Sequence, residues 1–388
     1  MSFNYNETQL SIIDSVQNIM KNFDDDYWLE CDQKSIFPHK FYDEIADGGW
    51  LGICMPKEFG GSALGITEAS IFMQKVSETG GGMAAASSIH INIFGPHPIV
   101  VHGNNDQKNK WLPSLINGKE KTCFGVTEPD AGLDTGKLKT FAKKINNGYL
   151  INGQKIWTST AQIADKILLL ARTTPIEECK KNTDGLTLFY TKLDRKKIEV
   201  KEIPKMGRSA VDSNQIFIDN LEVEEFDKIG EEGKGFKYIL DSLNPERILI
   251  AAEALGIGKN ALSRAIKYAG DRVVFGKPIG QNQSIQHPLA ENWIELEAAE
   301  LLITKAAYQY DNGQNAGGMA NAAKFFAAEA GFKAATQAII TLGGMGYAKE
   351  YHVERLMRES LIPKLAPVSA QMILNYISER VLGLPKSY

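Results

Sequence analysis

Four separated segments of this chain hold residue types suited to a flat, anionic or carbonyl-rich ligand. Cys123-Phe124-Gly125-Val126-Thr127-Glu128-Pro129-Asp130-Ala131-Gly132-Leu133-Asp134 runs from a strand-like start into small and hydroxyl residues. Such a loop can offer backbone N–H groups to an anion or a carbonyl, although a strand ending in a capped turn has the same composition. In Gly153-Gln154-Lys155-Ile156-Trp157-Thr158-Ser159-Thr160, a Trp beside hydroxyls can stack on a flat ring and hydrogen-bond its edge, or fill a core. Arg272, opening Arg272-Val273-Val274-Phe275-Gly276-Lys277-Pro278, offers a fork of donors matched to a pyrophosphate, or to a surface carboxylate. The glycines of Leu342-Gly343-Gly344-Met345-Gly346-Tyr347 admit a close ligand or cap a helix. Gly256-Ile257-Gly258-Lys259-Asn260-Ala261 fits the GxGxxA dinucleotide pattern, but it lies inside a helical pattern with no strand before it. It therefore reads as close helix packing.

The elements that must position these segments follow an α, then β, then α plan. Thr8 to Phe23 puts Leu10, Ile13, Val16, Ile19 and Met20 on one helical face. Phe41–Trp50, Ile66–Ser77, Met83–Ile93 and Gln107–Ile116 continue in helical style. From Thr122 to about Val223, short alternating β-branched runs are separated by turn dipeptides such as Asn147-Gly148 and Asn152-Gly153. Ile248–Ala269, Glu291–Tyr310 and Ala320–Leu342 are long, Ala-rich and amphipathic, the pattern of bundle helices. The expected class is α+β: an N-terminal helical domain (1–120), a middle β-barrel or sandwich (121–228) and a C-terminal four-helix-bundle domain (229–388).

Composition narrows the function. With 43 Lys and Arg against 47 Asp and Glu, the net charge of −4 gives no footprint for nucleic acid or an anionic membrane. No run approaches a membrane span. The start MSFNYNETQLS has neither a signal nor a transit pattern, so a soluble, cytoplasmic protein is expected. Four scattered cysteines (Cys31, Cys54, Cys123, Cys179) form no CxxC pair, which argues for a reducing compartment and against a structural metal.

The segments TEPDAGLD, KIWTST, RVVFGKPIGQNQ and LGGMGY resemble the acyl-CoA dehydrogenase family in order and spacing, over nearly the whole chain. The resemblance implies FAD as cofactor and oxidation of an acyl-CoA thioester to the trans-2-enoyl-CoA. Electrons would pass to electron-transferring flavoprotein, and the chain would form a homodimer or homotetramer. By the same resemblance Phe124, Val126 and Thr127 line the flavin, and Trp157, Thr158 and Ser159 cover its opposite face. Arg272, Phe275 and Gln283 would hold the pyrophosphate and adenine end across a subunit interface, with Gly343 and Gly344 nearby from the partner chain. The segment Ala84–Pro98 would line the acyl pocket, where His90 is either a pocket group or a satisfied core histidine.

The reaction needs a carboxylate base. In many members it follows an Arg-Asp pair after the glycine motif, but counting from Arg358 places Pro367 there, and proline cannot take a proton. A minority, including the isovaleryl-CoA and long-chain enzymes, carry the Glu on a central helix, and Leu243-Asn244-Pro245-Glu246-Arg247-Ile248 lies at the similar place. Glu246 is therefore the candidate base, with Glu253 two turns on as fallback. Its neighbours Leu243, Ile248, Leu249 and Ile250 would desolvate it, although Asn244 as cap and Pro245 as first helical residue would also place a Glu there. Asn244 and Arg247 become substrate contacts. Pro367 also lacks the N–H that the family uses to polarise the thioester, so either a neighbour such as Val368 donates, the register is off by one, or this member is catalytically altered. Leu133 replaces a Ser or Thr that helps hold the CoA arm. A flavin oxygenase or oxidase on the same fold, and a binding protein without turnover, are the alternatives.

Overall fold

The computed structural model describes residues 4–387. Seven helices come first: α1 (Glu7–Met20), α2 (Asp25–Lys34), α3 (His39–Asp47), α4 (Ile66–Ser77), α5 (Gly82–Phe94), α6 (His97–His102) and α7 (Asn105–Ile116). The helix starts are written locally. Asn6 and Asn104 each cap a first turn, with a Gln three residues on bonding back to the cap N–H. Helix α5 differs, since it is buried almost all round. Its first N–H groups are capped from far away in sequence: Glu359 Oε2 accepts from the N–H of Met83 at 2.8 Å and of Ala84 at 3.2 Å. This remote cap fixes the helix that later forms one wall of the site.

Eight strands follow: β1 (Thr122–Gly125), β2 (Phe141–Ile145), β3 (Gly148–Ser159), β4 (Lys166–Arg172), β5 (Leu186–Lys192), β6 (Ile198–Glu202), β7 (Ser213–Glu224) and β8 (Lys228–Ile229). They share one sheet in the order β6-β7-β3-β2-β4-β5-β8, with β1 parallel to β4. Alternation sorts the side chains of β4 and β5. Ile167, Leu169, Ala171 and Phe189 meet Ile151, Ile216 and Ile218 from β3 and β7 in one buried cluster, so the sheet curls over its own core. Leu168, Leu170, Leu188 and Tyr190 instead pack on Trp111, Leu112 and Ile239 from the helices. Arg172, buried at the end of β4, donates to the carbonyls of Leu138, Gly136, Asn182 and Asp184 at 2.7–3.2 Å and knits the loops on that side.

Three long helices, α8 (Gly235–Asp271), α9 (Gln283–Asp311) and α10 (Gly317–Leu342), then pack together, with α11 (Val353–Ser360), α12 (Ile362–Leu365) and α13 (Ala370–Tyr376) closing the end. Small residues set their spacing. A Cβ on Gly258 would meet Gly331 Cα at 2.9 Å, and one on Gly256 would meet the Gln74 carbonyl of α4 at 2.4 Å. The GxGxxA pattern is thus a helix-packing stripe, as its context in the sequence implies.

Helix α8 begins at Gly235, thirteen residues before the apolar period at Ile248 suggests. Asn244 is not its cap, and Pro245 is not its first residue but lies inside it. The proline withholds the N–H that the Asp241 carbonyl would otherwise accept, loosening the ladder one residue before Glu246. Tertiary packing maintains the early turns: Tyr238 and Ile239 are buried against the sheet.

Candidate functional site

Where α5, β1, β3, α8 and the 362–372 segment converge, they enclose a cavity of about 460 Å³. The sheet side supplies Phe124, Val126, Thr127, Leu133, Trp157 and Ser159. Helix α5 supplies Ser87, His90, Ile91 and Phe94, and α8 supplies Leu243, Glu246, Arg247 and Ile250. Ala366, Pro367 and Val368 form the remaining wall. Residues scattered over nearly 300 positions thus meet around one space.

Glu246 of α8 lies in this wall. Among the described residues no donor hydrogen-bonds its carboxylate, and burial lifts its pKa from the usual 4.5 to about 7, against the opposing pull of His90 and Arg247. Glu253 is differently placed. It is wholly buried, and its Oε1 accepts from His90 Nδ1 at 2.6 Å. Burial alone would depress the His90 imidazole, but the Glu253 and Glu246 carboxylates outweigh it and hold its pKa above the ordinary value. Of the two alternatives for His90 the pocket group fits better, since it lines the cavity and, although Nδ1 is paired, Nε2 has no partner among the described residues. Glu253 stands behind His90 and is not in the cavity wall.

Arg247 donates from Nη1 to Asn244 Oδ1 at 3.1 Å. Asn244 is therefore a support of Arg247 rather than a lining residue. Opposite them, Lys324 of α10, 1% exposed, donates from Nζ to the Val368 carbonyl at 2.7 Å. This contact ties down the turn that carries Pro367 and Val368.

Trp157 is 57% exposed at the cavity edge with a left-handed φ of +61°, so it is not a core aromatic. Thr158 is not among the lining residues; it is buried, and its Oγ1 has no partner among the described residues. Below this segment, Lys155 donates to the Val126 carbonyl at 3.1 Å and to Glu128 Oε1 at 2.9 Å, bracing β3 against the 126–128 loop. Sequence reasoning missed this brace, although both residues lie in the motifs it singled out. It also missed Arg208 and Phe236, which no spacing marks.

Arg272, Phe275, Gln283, Gly343 and Gly344 do not line the cavity. They lie at the ends of the long helices on open surface. Phe275 is fully exposed, and a Cβ on Gly343 or Gly344 would meet nothing within 4 Å.

The residues present fit a flavin. An apolar strand end (Phe124, Val126), the Thr127 hydroxyl and an exposed indole border one space, and a buried Thr158 hydroxyl beside it has no protein acceptor. Family models agree over the chain: the acyl-CoA dehydrogenase N-terminal domain matches residues 6–119, the middle domain 123–221 and the C-terminal domain 233–382. An acyl-CoA dehydrogenase of Mycobacterium bovis is 34% identical, with 100% of this chain and 99% of that protein covered. The caffeyl-CoA reductase-Etf complex subunit CarC of Acetobacterium woodii is 32% identical over 91% of this chain and 92% of its own. Among solved structures, butyryl-CoA dehydrogenase from Megasphaera elsdenii superposes with a TM-score of 0.93 at 29% identity, covering 98% of this chain and 100% of that one. With full-length matches in all three domains and a cradle built for a flavin, this chain belongs to the acyl-CoA dehydrogenase family of FAD-dependent oxidoreductases.

Proposed function

We propose that this enzyme removes hydrogen across the α,β-bond of an acyl-CoA thioester, giving the trans-2-enoyl-CoA, with Glu246 as the base. The observation that carries this reading is the Glu246 carboxyl itself: in the wall of the cavity, free of hydrogen-bond donors and lifted to about 7. A base with a pKa near working pH both is ionised and holds the proton it takes. FAD, when bound, accepts the hydride from the β-carbon.

The chain's own groups do the rest. Phe124, Val126, Thr127, Trp157 and Ser159 would hold the flavin, with the Thr158 hydroxyl beside them. Glu246 takes the α-proton onto its carboxylate. Pro367 has no N–H to give the thioester oxygen, so the Val368 N–H takes that part, held in place by Lys324 through the same residue's carbonyl. Arg247, steadied by Asn244, and Leu133 border the substrate's entry.

A pH profile tests the base. Glu246 must be ionised to act, so flavin reduction by acyl-CoA should be slow below its midpoint of about 7, rise through it, and level off above. Stopped-flow measurement from pH 5.5 to 9 checks this. A flat profile across that range would remove Glu246 from the role.

We further infer that reduced enzyme passes its electrons to electron-transferring flavoprotein; the similarity to a subunit of an Etf complex supports this. Self-association is part of the same reading. Phe275, Tyr347, Ile294 and Trp293 are 100%, 86%, 60% and 56% exposed, and such a set of large apolar groups calls for a cover. Beside it lie Arg272, Gln283, Gly343 and Gly344, which would complete the partner's FAD site. Sedimentation should show a dimer or tetramer, and Phe275→Glu should shift it toward monomer and weaken FAD retention. The four cysteines, none bonded to another, suit the cytoplasm. No described helix is long and apolar enough to cross a membrane.

A further inference from the structure

Arg208 is a cation in the cavity wall without a counter-ion among the described residues. It sits in the loop between β6 and β7 with a left-handed φ of +58°. Its Nη1 donates to Ser87 Oγ of α5 at 3.3 Å, and its Nη2 to Ser159 Oγ of β3 at 3.0 Å and Ser213 Oγ of β7 at 2.9 Å. Hydroxyls are weak, neutral partners for a guanidinium. They account for three of its five N–H groups, and Nε is buried with no acceptor.

The contrast with the chain's other buried cations is informative. Lys155 faces Glu128, and Arg355 faces Glu359. Arg172 has no carboxylate but is wrapped by carbonyls on every arm. A fourth, Lys324, donates to the Val368 carbonyl. Arg355 leaves its Nε without a partner among the described residues but has its carboxylate, and none of the four lines the cavity. The carboxylates that Arg208 senses at longer range are Glu359, Asp212 and Glu253. Each is committed elsewhere: Glu359 to α5 and Arg355, Asp212 to Asn214 and the Gln162 N–H, Glu253 to His90. An unpaired charge in a partly dry pocket is costly unless something arrives to meet it.

We propose that Arg208 is the specificity-determining cation of this pocket, and that the acyl group it selects bears a carboxylate at the end remote from the thioester. The inference rests on the dehydrogenase reading for the orientation of the substrate: the thioester lies by Glu246 and Val368, and the acyl chain runs toward α5. Ser87 brings α5 to the guanidinium, while His90 on the same helix pairs with Glu253, a carboxylate that would otherwise repel an anion there. A site built for an ion rejects the uncharged analogue because its own charge is then left unpaired.

The test uses holoenzyme and length-matched pairs: succinyl- against butyryl-CoA, glutaryl- against pentanoyl-CoA, adipyl- against hexanoyl-CoA. Binding is read by calorimetry and turnover by anaerobic bleaching of the flavin. In one pair or more the carboxylated member should bind about 10- to 100-fold tighter, the range for hydrogen bonds to a charged partner. Arg208→Gln should erase that preference, chiefly by weakening the carboxylated member, and Arg208→Lys should restore part of it. A wild-type preference for the neutral member in every pair would overturn the proposal. So would an equal loss for both members in Arg208→Gln, or a shifted flavin spectrum with the preference intact, which would assign Arg208 to the cofactor instead. If Arg208→Gln does not fold, the wild-type pairs decide alone. If no thioester bleaches the flavin, the dehydrogenase reading fails, while the calorimetric preference still decides the role of Arg208.

Discussion

Glu246→Gln should slow flavin reduction by acyl-CoA by about 10²- to 10⁴-fold, the usual worth of a positioned general base. Glutamine keeps the volume and the polarity of the site but cannot take a proton. FAD should stay bound, because the groups bordering the flavin space come from β1, β3 and their loops, not from α8. Substrate affinity should change little or improve, since a neutral amide does not repel an anionic ligand or a polarised thioester. The residual rate should also lose its dependence on pH near 7, which separates loss of the base from a general disturbance of the pocket. Glu246→Asp should fall between, as a carboxylate withdrawn by one methylene. Glu253→Gln offers the contrasting case: its carboxylate is hydrogen-bonded to His90 outside the cavity wall, so its loss should act on His90 and on stability more than on proton transfer. Full activity in Glu246→Gln would return the search to Glu253 and would make Pro367 the feature to explain.

The sequence shows much of this architecture, and the failures have physical causes. Helix α4 is legible to the residue, and α5 to within one, because sustained helical patterns set their ends. The start of α8 is not legible. Gly230-Glu231-Glu232-Gly233-Lys234-Gly235 and Pro245 both read as breaks, yet burial of Tyr238 and Ile239 carries the helix through the second of them. At the site, Phe124, Thr127, Trp157, Ser159 and Glu246 are visible as types in ordered motifs. The role of Arg208 is not visible, because it is defined by serines at 87, 159 and 213 that only the fold brings together. Glu253 shows the same limit: its spacing from Glu246 is plain in the sequence, but its pairing with His90, 163 positions away, is not. Residues that act by what they touch across domains leave no periodic trace.

Lys155→Met should destabilise the protein by about 3 kcal/mol, the lower end for breaking a buried ion pair, and should loosen FAD as well. Lys155 is 0% and Glu128 4% exposed, so removing the ammonium strands a carboxylate away from water. Glu128 keeps two backbone donors, the N–H of Lys139 at 2.7 Å and of Thr140 at 2.9 Å, which is why the low end of the range applies. The functional cost has a separate origin. Lys155 also holds the Val126 carbonyl, and the Ile156 N–H holds the Thr127 carbonyl at 2.9 Å, so two successive residues of β3 pin two successive residues of the flavin-facing loop. With one pin gone, Thr127 should sample more positions and give a flavin beside it a less fixed edge. The urea midpoint and the fraction of FAD retained on gel filtration should therefore both fall. Adding Glu128→Gln removes the stranded charge but cannot replace the pin. The double variant should accordingly regain much of the stability and little of the FAD retention. Parallel recovery of both would mean that the charge alone, and not the grip on Val126, holds this loop in place.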